Sequence, residues 1–181
     1  INDILDISKI EAGKMEMTET EFYLSSFLKT IAEIISVRAE QQETIFDQEI
    51  DPNLPGCVRG DEKRLRQVLL NLLSNAVKFT PEGSVIFQVT GKENQILFEI
   101  KDTGIGIPND RLEEIFMPFR QIKDTQVWTD GTGLGLPISR KLVHMMGGEI
   151  SVTDNRGQGC IFQVSLHHVK VTDIHVAPPP E

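Results

Sequence analysis

The chain has 181 residues, of which 39% are hydrophobic and 25% charged, and its formal net charge at pH 7 is -9. This length and composition predict one globular domain with a hydrophobic core. The acidic charge excludes broad nucleic-acid binding, which needs a basic face, and because no apolar run reaches membrane-spanning length we expect no membrane contact by these residues.

The predicted elements, taken in chain order, form an α+β fold. Apolar side chains recur with helical spacing over residues 1–13, 24–41, 61–79 and 136–146. They follow a strand pattern over residues 43–50, 84–91, 95–102, 149–154 and 159–168. Asp61 is the expected N-cap of the third helix, and Gly13 is expected to end the first. We expect a two-layer sandwich in which three helices cover one face of a mixed sheet, while the first helix belongs to another domain.

The ends of the chain and its cysteines indicate its context. The chain begins at Ile1, and residues 169–181 lose periodicity and end in a proline-rich stretch, which indicates a piece of a longer protein that continues through a linker. Cys57 and Cys160 form no CxxC motif, so we interpret them as apolar fillers in a reducing compartment rather than as a disulfide or zinc site. We therefore expect a cytoplasmic location, and a membrane anchor elsewhere in the parent protein stays open.

The third predicted helix carries polar residues near its end. Asn71 and Asn75 lie one turn apart beside the apolar stripe, and Lys78 follows three residues later. An asparagine inside a helix is unfavourable unless its amide has a partner. Surface exposure or capping explains either amide alone, but the three residues together predict a polar helix end that binds a ligand.

Two glycine-rich stretches indicate what that ligand is. In "DTGIGIP", residues 102–108, Gly104 and Gly106 allow a flat ligand to lie close to the backbone, and Asp102 can accept a hydrogen bond from an exocyclic amine such as that of adenine. The second stretch, "GTGLGLPIS" at residues 131–139, precedes a helix whose first N–H groups would face a phosphate. A tight loop explains either stretch alone, whereas both together predict a nucleotide site.

These segments resemble the sequence boxes of a known family. "NLLSNAVKFT", "DTGIGIP", "IFMPFRQ" and "GTGLGLPIS", in this order and spacing, closely resemble those of the sensor histidine kinase catalytic and ATP-binding domain. That domain belongs to the Bergerat-fold (GHKL) group shared with gyrase, MutL and the large heat-shock chaperones. The resemblance covers residues 18–168. Residues 1–17 resemble the end of the second helix of the family's dimerisation and phosphoacceptor hairpin, and residues 169–181 form a tail.

The resemblance implies ATP and Mg²⁺ as cofactors and gives roles to individual residues. Asn75 would ligate Mg²⁺ through its amide oxygen, Asn71 would line the same side, and Lys78 would reach a phosphate. Asp102 would accept the adenine amino group. The other nucleotide-binding positions that the resemblance implies are Gly104, Gly106, Ile107, Thr132, Gly133, Leu134 and Gly135, the last three through backbone N–H groups.

The resemblance also implies a lid over the nucleotide at residues 108–131. Phe116 and Phe119 would anchor this lid, although simple core packing explains these two rings nearly as well. Many family members carry an arginine near the γ-phosphate where this chain has Gln121, and glutamine at this place is familiar in the hybrid branch of the family. Lys123 is a candidate for the missing charge.

The histidines of the chain do not fit a phosphoacceptor. The family's acceptor lies in an H-[DE]-x-[RK]-T-P setting, which is absent around His144, His167, His168 and His175. The resemblance therefore implies a protein-histidine kinase that transfers the γ-phosphate to a histidine on a hairpin domain absent from this chain, in cis or in trans within a dimer, and so is not active alone. A response regulator or receiver domain would be the next partner.

Three alternatives stay open. A gyrase- or MutL-type ATPase needs a general base, and those relatives have glutamate where this chain has Asn71, whose amide cannot take a proton at neutral pH. A serine kinase of the anti-sigma-factor type shares the boxes but lacks the leading helix that residues 1–17 resemble. A nucleotide-binding regulatory module without transfer activity is the third alternative.

Overall fold

The computed structural model describes residues 2–117 and 135–167, which form two layers and a small additional sheet. The helices are α1 (Asn2–Glu11), α2 (Leu24–Gln41), α3 (Glu62–Lys78) and α4 (Gly135–Met145). The strands are β1 (Thr20–Tyr23), β2 (Ile45–Ile50), β3 (Cys57–Gly60), β4 (Ser84–Lys92), β5 (Gln95–Asp102), β6 (Glu149–Asp154) and β7 (Cys160–His167). Two short 3₁₀ helices follow β5, at Asn109–Arg111 and Glu114–Phe116.

The main sheet has the strand order β2-β4-β5-β7-β6 and is mixed, as predicted. Strands β2 and β4 are parallel, and every other neighbouring pair is antiparallel. Side chains alternate across a strand, so Phe98 and Ile100 of β5 enter the core while Glu99 and Lys101 lie on the other face. Lys101 contacts both Glu99 and Gln88 there, which makes that face polar.

Helices α2, α3 and α4 pack together on the apolar face of this sheet, which confirms the predicted layering. The predicted stripe of α3 is buried, and its members are Leu65, Val68, Leu69, Leu72, Leu73 and Ala76. The backbone N–H of Arg64 donates to Asp61 Oδ1 over 3.0 Å, so Asp61 is the N-cap of α3 as predicted. None of the helices in the described ranges is both long and apolar enough to cross a membrane.

A second, two-stranded sheet was missed by the sequence prediction. Strands β1 and β3 pair antiparallel, with Phe22 opposite Val58 and both side chains in the core. Each strand has only four residues, which is too short for alternation to stand out from a loop. The pairing also joins segments that are far apart in the chain, so no local pattern announces it.

The first helix contacts the domain that follows it. Ile7 is 5% exposed and belongs to the common core, and the Nε2 of Gln67 on α3 donates to Asp6 Oδ2 over 3.0 Å. Gly13 ends this part of the chain in a left-handed conformation with a φ of 67°. Its assignment to a hairpin domain stays a prediction, but in this chain α1 lies against α3 and α4.

Candidate nucleotide-binding site

A pocket lies where the end of α3, the end of β5 and the start of β7 meet. It contains four of the residues predicted from sequence, since Asn75, Asp102, Gly106 and Ile107 all line it. The other lining residues are Ala76, Phe79, Ile105, Leu136, Cys160 and Phe162. The pocket is therefore apolar, with one carboxylate and one amide, which is the usual composition of a small-molecule site.

Asp102 is the buried acid of this pocket. It is the last residue of β5 and 6% exposed, and its Oδ1 accepts hydrogen bonds from the backbone N–H groups of Gly104 (3.0 Å) and Cys160 (3.1 Å). Burial raises the pKa of this carboxyl above its usual value, and the two backbone hydrogen bonds oppose that rise. Within the described residues Oδ2 accepts no hydrogen bond, which leaves one carboxylate oxygen for a ligand.

The two glycines after Asp102 have different structural reasons. A Cβ on Gly104 would collide with the carbonyl oxygen of Phe79 and the hydroxyl of Thr80, so this glycine lets the loop lie directly on the end of α3. Gly106 has a φ of 72°, which favours glycine, and it lines the pocket. At Gly104 loop packing therefore explains the glycine, whereas the predicted close approach of a ligand stays a prediction for Gly106.

The polar end of α3 is divided between the pocket and α4. Asn75 lines the pocket, but the side-chain N–H of Asn71 donates to Ser139 Oγ of α4 over 3.0 Å. A Cβ on Gly135 would collide with the Asn71 amide, so the first residue of α4 lies directly against it. The Nζ of Lys78 lies 5.2 Å from the ring centroid of Phe79. Neither Asn71 nor Lys78 is among the lining residues.

Part of the predicted site lies outside the described residues. Those positions are Thr132, Gly133, Leu134, Phe119, Gln121 and Lys123. His168 and His175, which do not fit a phosphoacceptor, also lie outside the described residues. Of the predicted lid, the structure describes residues 108–117. Phe116 is buried there, and the guanidinium of Arg140 on α4 lies 5.1 Å from its ring centroid. This contact attaches the start of the predicted lid to α4.

Sequence reasoning missed the contribution of the β6–β7 hairpin. Cys160 lines the pocket, and burial, together with the nearby charge of Asp102, raises its thiol pKa to about 12. The thiol is therefore neutral at physiological pH and borders the pocket as a small, weakly polar group. Both Cys160 and Cys57 are free and buried, as expected. No signal in a single sequence links Cys160 to Asp102, because 58 residues separate them.

The described residues fit Mg²⁺ only as a partner of a phosphate ligand. They hold no group of three or more His, Cys, Asp or Glu side chains placed to bind a metal ion on its own. Mg²⁺ in nucleotide sites needs only one or two protein ligands, because phosphates and water fill the other positions. The amide oxygen of Asn75, which lines the same pocket as Asp102, is suited to such a role.

Comparison with known proteins identifies the family. Residues 60–170 match the model of the family described as histidine kinase-, DNA gyrase B-, and HSP90-like ATPase. The chain belongs to this family. The match includes α3, both glycine stretches and the β6–β7 hairpin, so the resemblance inferred from the four sequence boxes is confirmed. The chain is an ATP-binding catalytic domain of the histidine kinase type.

Individual proteins are also similar to this chain over most of its length. The chain is 41% identical over 175 residues to the aerobic respiration control sensor protein ArcB of Escherichia coli, which covers 95% of this chain and 22% of ArcB. The structure of full-length ShkA in complex with AMPPNP matches this chain with a TM-score of 0.82 and 33% identity. The match covers 94% of this chain and 35% of the ShkA chain. These matches confirm the predicted α+β fold class.

A third comparison involves a complex of two proteins. The histidine kinase ThkA in complex with the response regulator protein TrrA matches 91% of this chain and 47% of that one, with a TM-score of 0.72 and 25% identity. The chain spans about a fifth or less of the length of the curated relatives it matches.

Proposed function

We propose that this chain binds ATP with Mg²⁺ and transfers the γ-phosphate to a histidine on a hairpin domain that is absent from the chain. One observation carries the proposal. The buried Asp102 carboxylate has one oxygen held by two backbone N–H groups, and it shares a pocket with Asn75 at the end of α3. The matches to ArcB and to the AMPPNP complex of ShkA support the same activity.

Asp102 selects adenine in this proposal. Its Oδ2 would accept a hydrogen bond from the exocyclic amine of adenine, while the ring contacts apolar side chains such as Ile107 and Phe162. Guanine carries a carbonyl oxygen where adenine has this amine. Bound guanine would place this carbonyl oxygen against Asp102 Oδ2, and both atoms are acceptors. A buried carboxylate therefore discriminates against guanine.

The phosphates would lie toward the start of α4. Backbone N–H groups at the N-terminus of a helix favour negative charge, and Gly135 is the first residue of α4. We assign Asn75 to Mg²⁺ and Lys78 to a phosphate, which the backbone N–H groups of residues 133–135 would also contact. Bound Mg²⁺ would neutralise phosphate charge. Asn71 would act by holding α4 in place through Ser139.

The chemistry of Asn71 supports transfer to a protein rather than to water. Hydrolysis needs a general base beside the γ-phosphate, and an amide that donates to Ser139 is not one. A neutral imidazole needs no base, because its nitrogen already carries a lone pair. We therefore place the acceptor on a histidine of the hairpin domain, in cis or in trans within a dimer.

The partners and the location follow from this activity. A response regulator or receiver domain would take the phosphoryl group from the hairpin histidine, as the ThkA complex with a response regulator suggests. Such a phosphorelay uses cytoplasmic ATP, so we place this part of the protein in the cytoplasm.

The first test is calorimetric titration with a non-hydrolysable ATP analogue, with and without Mg²⁺. We expect Asp102→Ala to abolish binding, because the adenine contact is lost and Asp102 is the only carboxylate among the described residues that line the pocket. We expect Asn75→Ala to keep part of the affinity but to lose the gain that Mg²⁺ provides. Asp47→Ala, on the exposed edge strand β2, is the matched control and should bind like the unmutated chain.

Two outcomes would contradict this assignment. Equal losses in Asp102→Ala and Asn75→Ala, whether or not Mg²⁺ is present, would refute the division into an adenine side and a metal side. Normal binding without phosphorylation of an added hairpin domain, followed with γ-labelled ATP, would refute transfer and favour a nucleotide-binding regulatory module.

A further inference from the structure

The hydrogen-bond ladder between β5 and β7 is broken at Asp102. The register pairs Lys101 with Ile161, and it would next pair Asp102 with Cys160. However, the N–H of Cys160 donates to the Asp102 carboxylate, over 3.1 Å. A strand that continued regularly would direct that N–H to a main-chain carbonyl. At the end of these strands, a side-chain oxygen therefore replaces the main-chain carbonyl as the acceptor, and the bond fixes the Asp102 carboxylate.

The main-chain carbonyl of Asp102 has a different donor. The side-chain Nδ2 of Asn155, in the turn between β6 and β7, donates to it over 2.9 Å. A Cβ on Gly159 would collide with the same carbonyl, so the turn lies directly against the end of β5. The β6–β7 hairpin therefore makes two hydrogen bonds to Asp102. Asn155 donates to its main-chain carbonyl, and Cys160 donates to its carboxylate.

Asn155 is itself held by the turn. Its N–H donates to the carbonyl of Gly159 over 3.2 Å, and its carbonyl accepts the N–H of Gln158 over 3.0 Å. Its side chain is half-buried, whereas the flanking Asp154 and Arg156 are exposed. These bonds fix the backbone of Asn155, and the bond from Nδ2 to the Asp102 carbonyl fixes its side chain, as a positioning group requires.

We propose that Asn155 is a positioning residue for adenine recognition. By holding the Asp102 carbonyl, it sets the end of β5 so that the carboxylate meets the exocyclic amine of adenine. Asn155 is not among the residues that line the pocket, so it acts through Asp102 and not through the nucleotide. This inference rests on the proposed role of Asp102 as the adenine acceptor.

The test compares two ligands on two variants. ADP carries the exocyclic amine, and purine riboside diphosphate lacks it but is otherwise the same. We expect the unmutated chain to prefer ADP, and Asn155→Ala to reduce that preference about threefold to tenfold, as the loss of one positioning hydrogen bond would. Purine riboside diphosphate should bind to Asn155→Ala within about twofold of its affinity for the unmutated chain, as expected if the amine contact alone is disturbed.

A second variant separates positioning from folding. Asn155→Asp keeps the shape of the side chain but places an oxygen against the Asp102 carbonyl, so the preference for ADP should fall at least as far. Asn94→Ala, in the β4–β5 turn at the other end of β5, is the matched control and should leave the preference unchanged. Thermal unfolding of each variant checks that the domain remains folded.

The outcomes distinguish this inference from the proposed function. Equal losses for both ligands in Asn155→Ala, or an unchanged preference in Asn155→Asp, would overturn the positioning role. If the unmutated chain bound both ligands equally, the adenine contact of Asp102 would itself be refuted, and the role of Asn155 would fall with it.

Discussion

At the residue scale, the buried charge of Asp102 lowers the stability of the domain, while the same carboxylate is the proposed acceptor for adenine. Its carboxylate is buried, and desolvation outweighs the two backbone hydrogen bonds, so its pKa is raised in the folded chain. A group whose pKa is higher in the folded state binds protons more readily there than in the unfolded chain. Its ionisation therefore lowers the free energy of unfolding as pH rises from the unfolded value of 3.8 through the folded pKa.

This cost predicts that Asp102→Asn stabilises the domain in the absence of nucleotide. The amide keeps an oxygen for the N–H groups of Gly104 and Cys160 but carries no charge. We expect Asp102→Asn to have a higher Tm than the unmutated chain at pH 7. The difference between the two Tm values should shrink as pH falls through the folded pKa of Asp102. Adenine nucleotide binding should be lost, because the amide N–H would face the amine of adenine.

Differential scanning calorimetry from acid to neutral pH measures this effect. Asp47→Asn removes the same charge from an exposed position, and it should leave the Tm nearly unchanged. If the Tm difference between Asp102→Asn and the unmutated chain increased toward acid pH, the raised pKa of Asp102 in the folded chain would be contradicted.

At the element scale, α3 connects most parts of the domain. Its buried stripe faces the sheet, its last turns reach the pocket, and Asn71 joins it to α4. At its N-terminus Asp61 caps the helix through Oδ1, and its Oδ2 accepts the backbone N–H of Thr18 over 2.9 Å. One buried carboxylate therefore fixes both the start of α3 and the segment that follows α1.

The double role of Asp61 makes it a stability determinant. Asp61→Ala removes the partner of two backbone N–H groups, and we expect the free energy of unfolding to fall by about 1–2 kcal/mol, as for loss of an N-cap. Urea denaturation measures the change. Asp51→Ala removes a similar acceptor from an exposed turn and should cost no more than about 0.5 kcal/mol. Equal effects of the two substitutions would show that the cap of α3 carries no special weight.

At the scale of the whole molecule, α1 is attached to the domain by a few contacts. Ile7 is buried in the common core, whereas Ile4 on the same helix is 52% exposed. Asp6 receives a hydrogen bond from Gln67 and lies 4.0 Å from the guanidinium of Arg64. The helix therefore lies on α3 by one face, and its other face carries exposed apolar side chains.

These contacts predict unequal effects for two similar substitutions. Ile7→Ala leaves a cavity in the core, and we expect a loss of about 2–4 kcal/mol in the free energy of unfolding. Ile4→Ala should change the free energy of unfolding by about 0.5 kcal/mol or less. Chemical denaturation of both variants is the measurement, and losses of equal and small size would indicate that α1 does not dock on α3 in solution.

Much of the fold could be predicted because its signals are local. The apolar stripe of α3, the alternation along β5 and the cap at Asp61 are each written within one element. Strands β1 and β3 could not be predicted, because they are short and stabilise each other across the chain.

The candidate site divides in the same way. The sequence by itself determined the family, the glycine stretches and the pairing of Asp102 with Asn75 in one site, because these residues lie in recognisable boxes. Only the tertiary structure decided that Gly104 lets the loop pack on the end of α3 and that Asn71 holds α4. It also decided that Asn155 and Cys160 hydrogen-bond to Asp102. The physical reason is that these contacts depend on the register of strands and helices distant in the chain, whereas periodicity and sequence boxes record only neighbours.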